Sequence, residues 1–133
     1  MPEEPAYRYD PGEGRYKHRW NKDEAGFEPS GRGPVGKCPQ WMDRELAQRL
    51  LDDGIPYYDG DAFPARIYNV CEGVVYEAVP TEPGKSYHGY PWRGDRGMGA
   101  GLPPRIRRKL EERAREEGKP KEFQRWMKQY GGP

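Results

Sequence analysis

Five residues of this 133-residue chain have the types and spacing for acid–base chemistry on a phosphodiester: Glu77, His88, Lys85, Arg66 and Arg93. Cleaving RNA without a metal takes a base for the ribose 2′-hydroxyl, an acid for the leaving oxygen and a cation for the phosphorane charge. Glu77 is the candidate base. His88 is the candidate acid, because imidazole titrates near neutral pH. Lys85, Arg66 and Arg93 would hold the phosphate, and arginine forks onto its oxygens best. Tyr68, Tyr87, Tyr90, Trp92 and Arg96 are the expected binding residues, their rings stacking a base beside the scissile bond. Singly, each has a plainer role: His88 as a hydrogen-bonded turn residue, Glu77 as the cross-strand partner of Tyr68. Only the combination points to chemistry.

Metal chemistry has less support. Cys38, Cys71, His18 and His88 are isolated from one another in sequence, whereas zinc sites draw their ligands in close pairs. Asp59 and Asp61 lack the other ligands of a calcium loop. Neither a metal nor a cofactor is expected. Cys38 and Cys71 read as free thiols, with a disulfide between them as the alternative. The start Met-Pro-Glu-Glu-Pro carries no secretory signal, which argues for a reducing, cytoplasmic location and against that bond.

The elements that must position these side chains are short. Residues 1–37 read as an extended Pro/Gly-rich arm without periodicity, in which Tyr7, Arg8, Tyr9, Arg15, Tyr16, Lys17, His18, Arg19 and Trp20 interleave rings with cations. Such an arm either docks on its own domain, grips a partner chain or contacts nucleic acid. Residues 38–133 read as one compact domain. Met42, Leu46 and Leu50 recur every four residues and predict a helix over 40–53, with Pro39 in its first turn and Gly54 ending it in the left-handed conformation. Residues 56–65 read as loop.

A hairpin follows. Arg66–Cys71 and Val74–Val79 are β-branched and aromatic runs around the turn Glu72-Gly73. That turn sets Cys71 against Val74, Asn69 against Tyr76 and Ile67 against Ala78 on one face. Val70/Val75, Tyr68/Glu77 and Arg66/Val79 take the other. Tyr87–Trp92 is a candidate third strand, which would bring His88 to the same sheet. Gly94–Gly101 lacks the residues of a phosphate-binding loop and reads as flexible. Two helices close the chain, near 103–117 and 120–130. Phe123, Trp126, Met127 and Tyr130 form the apolar face of the second.

Composition limits the remaining options. Leu, Ile, Val and Phe together number only 16, while Tyr, Trp and Phe number 10, 4 and 3. Large rings can centre a small loop-rich core where aliphatic residues are scarce. No apolar run approaches the length of a membrane span. Net charge is only +1, yet residues 1–65 carry 9 basic and 13 acidic side chains, and residues 66–133 carry 14 and 9. Seven of the later cations fall between Lys85 and Lys109, against one acid, Asp95. A local patch, rather than net charge, is what holds a phosphate. Pairing one turn on would absorb Arg108 (with Glu112) and Arg113 (with Glu117), and leaves Lys85, Arg93 and Arg96.

The run Gly73-Val74-Val75-Tyr76-Glu77-Ala78, then Tyr87-His88-Gly89-Tyr90-Pro91, then charged helices, resembles the small nuclease-type domains of bacterial polymorphic toxins over residues 66–130. The resemblance implies a compact ribonuclease-like fold with helices ahead of an antiparallel sheet. It also implies catalytic roles for Glu77, His88 and a basic neighbour. The resulting expectation is a small α+β domain: an N-terminal arm, an antiparallel hairpin or three-stranded sheet, and three helices. Its expected function is metal-independent cleavage of RNA, with RNA and a protein partner or inhibitor as the binding partners and no membrane association. The alternative is a non-enzymatic interaction or assembly protein that uses the aromatic arm to bind a partner chain or nucleic acid.

Overall fold

The computed structural model describes residues 6–11, 25–28, 35–94 and 102–131. The chain is a small α+β domain. A five-stranded mixed sheet carries one helix on one face and two on the other.

The hairpin forms the centre. Strand β5 (Arg66–Cys71) pairs with β6 (Val74–Glu82) in the register the alternation predicts: Ile67 opposite Ala78, Tyr68 opposite Glu77, Asn69 opposite Tyr76 and Cys71 opposite Val74. Glu72 and Gly73 both take positive φ, 54° and 80°, as a two-residue turn matched to strand twist requires. The turn is braced from outside. Glu117 accepts from the Glu72 and Gly73 backbone amides at 3.1 and 2.8 Å, and Lys119 Nζ lies 3.3 Å from Glu72. Strand β7 (Ser86–Pro91) adds to β6 and places Tyr90 opposite Glu77 and His88 opposite Val79. The pairing becomes irregular between Pro80 and Glu82, where β6 has run past the start of β5 and proline's missing donor is tolerated.

Both sheet edges carry strands that have no periodicity in the sequence. Strand β4 (Ile55–Tyr57) pairs with β5 where a loop is expected, and Pro56 is acceptable there because the strand is an edge. Strand β1 (Arg8–Tyr9) runs parallel to β7, giving the order β1-β7-β6-β5-β4. Of the arm, residues 7–10 therefore lie on their own domain. Arg8 N donates to the Lys85 carbonyl (2.9 Å) and Asp10 N to that of Tyr87 (2.7 Å). Gln48 clamps the outer side: its Nε2 donates to the Tyr7 carbonyl and its Oε1 accepts from Tyr9 N. A separate ribbon, β2 (Gly26–Glu28) with β3 (Val35–Lys37), packs Phe27 against Trp126 and Tyr130. Arg15–Trp20 lie outside the described residues.

Helix α1 (Arg44–Asp52) starts later than the periodicity suggests. Pro39–Met42 close a turn instead, and Asp43 caps the helix by accepting from Leu46 N at 2.8 Å. Nor does Gly54 adopt the left-handed conformation: positive φ among the described glycines falls at Gly60, Gly73, Gly84 and Gly118. Its requirement for glycine is steric, since a Cβ there would stand 2.3 Å from Ile67 Cγ2. Helices α2 (Pro104–Glu116) and α3 (Pro120–Tyr130) agree with the sequence to within a residue or two, each with proline in its first turn.

Two cores follow from the pleat. On the α1 face, Leu51 packs with Ile67 and Tyr87, and Cys38 and Met42 with Tyr76. On the α2/α3 face, Ile106, Leu110, Ala114, Phe123, Trp126 and Met127 cover Ile55, Tyr68, Val70, Val75 and Trp92. Cys38 and Cys71 are free thiols and form no disulfide. Among the described residues no helix is long and apolar enough to cross a membrane.

Candidate active site

The α2/α3 face is not covered evenly. Along β6, burial is complete at Val75 and nearly so at Glu77, partial at Val79, and lost at Thr81. Past the helices the face turns polar, and there Arg66, Tyr68, Glu77, His88 and Tyr90 come together.

Their alignment is a consequence of register. Side chains alternate across a strand, so the pairs Tyr68/Glu77, Glu77/Tyr90 and Val79/His88 place all five groups on one side. Glu77 and His88 are diagonal neighbours on adjacent antiparallel strands, a relation that spans about 7–8 Å. Glu77 is 4% exposed, and a carboxylate that deep requires partners. Tyr90 donates its hydroxyl to Glu77 Oε1 at 2.5 Å, and Arg66 Nη1 lies 3.9 Å from Oε2. The Tyr68 phenol is held between Glu77 and Arg66. Burial first, then the Glu77 charge, pushes the Tyr68 and Tyr90 phenols well above the ordinary 10.0. Both therefore serve as neutral donors. The Arg66 guanidinium is raised in turn, chiefly by its hydrogen bond with Tyr68.

His88 is half-buried. Its Nδ1 lies 2.8 Å from Thr81 Oγ1, and its ring centroid 6.5 Å from that of Tyr90. Thr81 is a site residue that the sequence reading missed. Its only signal is a count back along β6 from the Pro83-Gly84 turn.

Other expected site residues lie elsewhere. Lys85 is exposed in the β6–β7 turn. Arg93 lies past the end of β7, its guanidinium carbon 5.1 Å from the ring centroids of both Phe27 and Tyr130. Neither joins Glu77. Tyr87 points to the opposite face, wholly buried, and donates its hydroxyl to the Pro64 carbonyl. Trp92 is 3% exposed in the core, where its carbonyl accepts from Trp126 Nε1 at 3.1 Å. Tyr68, 2% exposed, is likewise shut away. These three rings have no face open to a base, which corrects the expectation that they stack on one. Tyr90 alone of the four expected rings remains half-open. Arg96 lies outside the described residues.

The two intrahelical pairs expected on α2 also change. Arg113 turns from Glu117 to the Asp53 carbonyl (2.6 Å) and Asn69 Oδ1 (3.1 Å). Arg108 makes no bond to Glu112, whereas Arg115 pairs with Glu111 at 3.1 Å. Among the described residues no group of three or more His, Cys, Asp or Glu is placed to hold a metal. No protein-family model, curated protein or solved structure matches the chain.

Proposed function

We propose that the chain is a toxin-like ribonuclease that cleaves RNA by general acid–base catalysis without a metal. One observation carries this reading. A carboxylate, an imidazole, a guanidinium and a phenol occupy adjoining positions on one sheet face, where its helices give way to solvent.

Glu77 takes the proton of the ribose 2′-hydroxyl. A carboxylate has about four lone-pair sites, and Tyr90 occupies one of them, leaving room for a further donor. The freed 2′-oxygen attacks phosphorus, and Arg66 balances the charge gathering on the phosphoryl oxygens. His88, oriented by Thr81, gives a proton to the departing 5′-oxygen. The products are a 2′,3′-cyclic phosphate and a 5′-hydroxyl end. Tyr90 keeps Glu77 in place and carries the half-open ring beside the phosphate.

The test is an RNA oligonucleotide incubated with the wild-type chain, Glu77→Gln and His88→Ala, with and without chelator. Wild type is expected to yield cyclic-phosphate ends equally well in chelator. Each variant should lose about 100-fold or more, the usual contribution of a positioned acid or base. A 2′-O-methyl copy of the substrate should stay intact. Uncut RNA in the wild-type reaction overturns the proposal.

A further inference from the structure

We propose that the outward face of the first half of α2, built from Arg105, Arg108 and Lys109 with Arg107 beside it, is a docking surface for the backbone of a single-stranded nucleic acid. All four side chains are exposed, and none makes a hydrogen bond or ion pair among the described residues.

Helix geometry gathers them. At about 100° per residue, Arg105, Arg108 and Lys109 fall within roughly 100° of arc, opposite the buried stripe of Ile106, Leu110 and Ala114. Stability alone would place them elsewhere. The first turn of α2 contains no acidic residue, so the cations sit at the positive end of the helix dipole. Arg105 and Lys109 are like charges one turn apart, a repulsive spacing. Of the nearby acids, Glu111 holds Arg115 and lies near Gln124, and Glu117 braces the hairpin turn. Glu112, exposed one turn on from Arg108, is the single acid on this face within a turn of the cations and makes no ion pair with them among the described residues. Four cations against one acid, at the unfavourable end of a helix, suit a polyanion that supplies the missing charge on binding.

The partner's chemistry follows from what the face lacks. Among the described residues no apolar side chain interrupts the cations to enter a lipid layer, and no aromatic anchor of the kind that dominates protein interfaces lies on this face. Repeated phosphates need neither. α2 also packs on the sheet face that carries Glu77 and His88. The identification of the polymer as RNA rests on the ribonuclease reading; the binding itself does not.

Binding is measured with a 2′-O-methyl oligonucleotide, which resists cleavage, so this readout is independent of the nuclease assay. Arg105→Gln, Arg108→Gln and Lys109→Gln are combined in one variant, since glutamine keeps good helix propensity. Removing three phosphate contacts should reduce the slope of log affinity against log salt by about 2. A second triple, Lys121→Gln/Arg125→Gln/Lys128→Gln on the exposed side of α3, should leave the slope nearly unchanged. The α2 variant should also melt no lower than wild type, because the removed charges repel one another. Equal slopes in wild type and the α2 variant overturn the proposal, as does an equal loss in both triples. Binding of polyglutamate or of phosphatidylserine-containing vesicles as tight as that of the oligonucleotide, at the same salt, overturns the choice of partner.

Discussion

Glu77 organises its neighbours as much as it serves chemistry. At 4% exposure it is the one buried charged side chain among the described residues, and Tyr90, Tyr68 and Arg66 all converge on it. Removing one donor to a buried charged acceptor costs about 1.5–3 kcal/mol. Tyr90→Phe, which keeps the ring and deletes the hydroxyl, is therefore expected to lower stability in urea by that amount. A change below about 0.5 kcal/mol would mean the 2.5 Å contact contributes little. Tyr76 differs: its buried hydroxyl meets no hydrogen-bond partner among the described residues, and the residue lines a small apolar cavity of about 50 Å³ with Met42 and Leu50. The two phenols share one strand system, yet only Tyr90 is tied to an ionisable neighbour by a direct bond.

Among the elements, the edges depend most on single side chains. β1 has two residues and one strand beside it, and a two-residue parallel pairing has little stability of its own. Gln48 acts as its other neighbour by presenting an amide in the manner of a backbone. Gln48→Ala should leave the global melting point almost unchanged and raise amide exchange at Tyr9 and Asp10 by about 10-fold or more, since two hydrogen bonds of roughly 1 kcal/mol each are lost. Exchange rates unaltered at these two amides would show that β7 alone holds β1. On the far side, Arg113 ties α2 to the end of α1 and to β5 through Asp53 and Asn69. Glu117 and Lys119 tie the α2–α3 corner to the hairpin turn. In this way polar bonds between elements supplement a core that is poor in aliphatic residues.

For the molecule as a whole, the aromatic core makes stability sensitive to alkali. Burial pushes the Cys38 thiol up to about 12 and the Cys71 thiol to about 11, against an ordinary 9.0. It pushes the Tyr9 and Tyr87 phenols to about 12 against 10.0, and raises those of Tyr68, Tyr76 and Tyr90 well above the same ordinary value. Well below pH 9 these groups are protonated in both states and contribute no slope. Above it the unfolded chain releases protons that the folded chain retains, so stability falls as pH rises from about 9 through about 12. Melting temperature should be level between pH 7 and 8.5 and decline steadily beyond. Phenolate absorbance should rise together with the loss of native circular dichroism. Phenols that all titrate near pH 10 in a chain still folded would contradict this account.

Local pattern determined what local pattern can. Strict alternation around Glu72-Gly73 set the β5–β6 register, and with it the shared face of Arg66, Tyr68 and Glu77. Prolines and the 3.6-residue stripe bounded α2 and α3. His88 and Tyr90 came to that face through a strand the sequence suggested. Tertiary structure decided the rest. β1, β2, β3 and β4 have two or three residues each, too few to show a period, and exist only because a neighbour is there to accept their bonds. The burial of Tyr87 and Trp92, the turn of Arg113 away from Glu117 and the exposure of Arg105–Lys109 depend on which face each helix covers. A periodicity states that one side of an element is apolar; only packing in three dimensions determines what meets it.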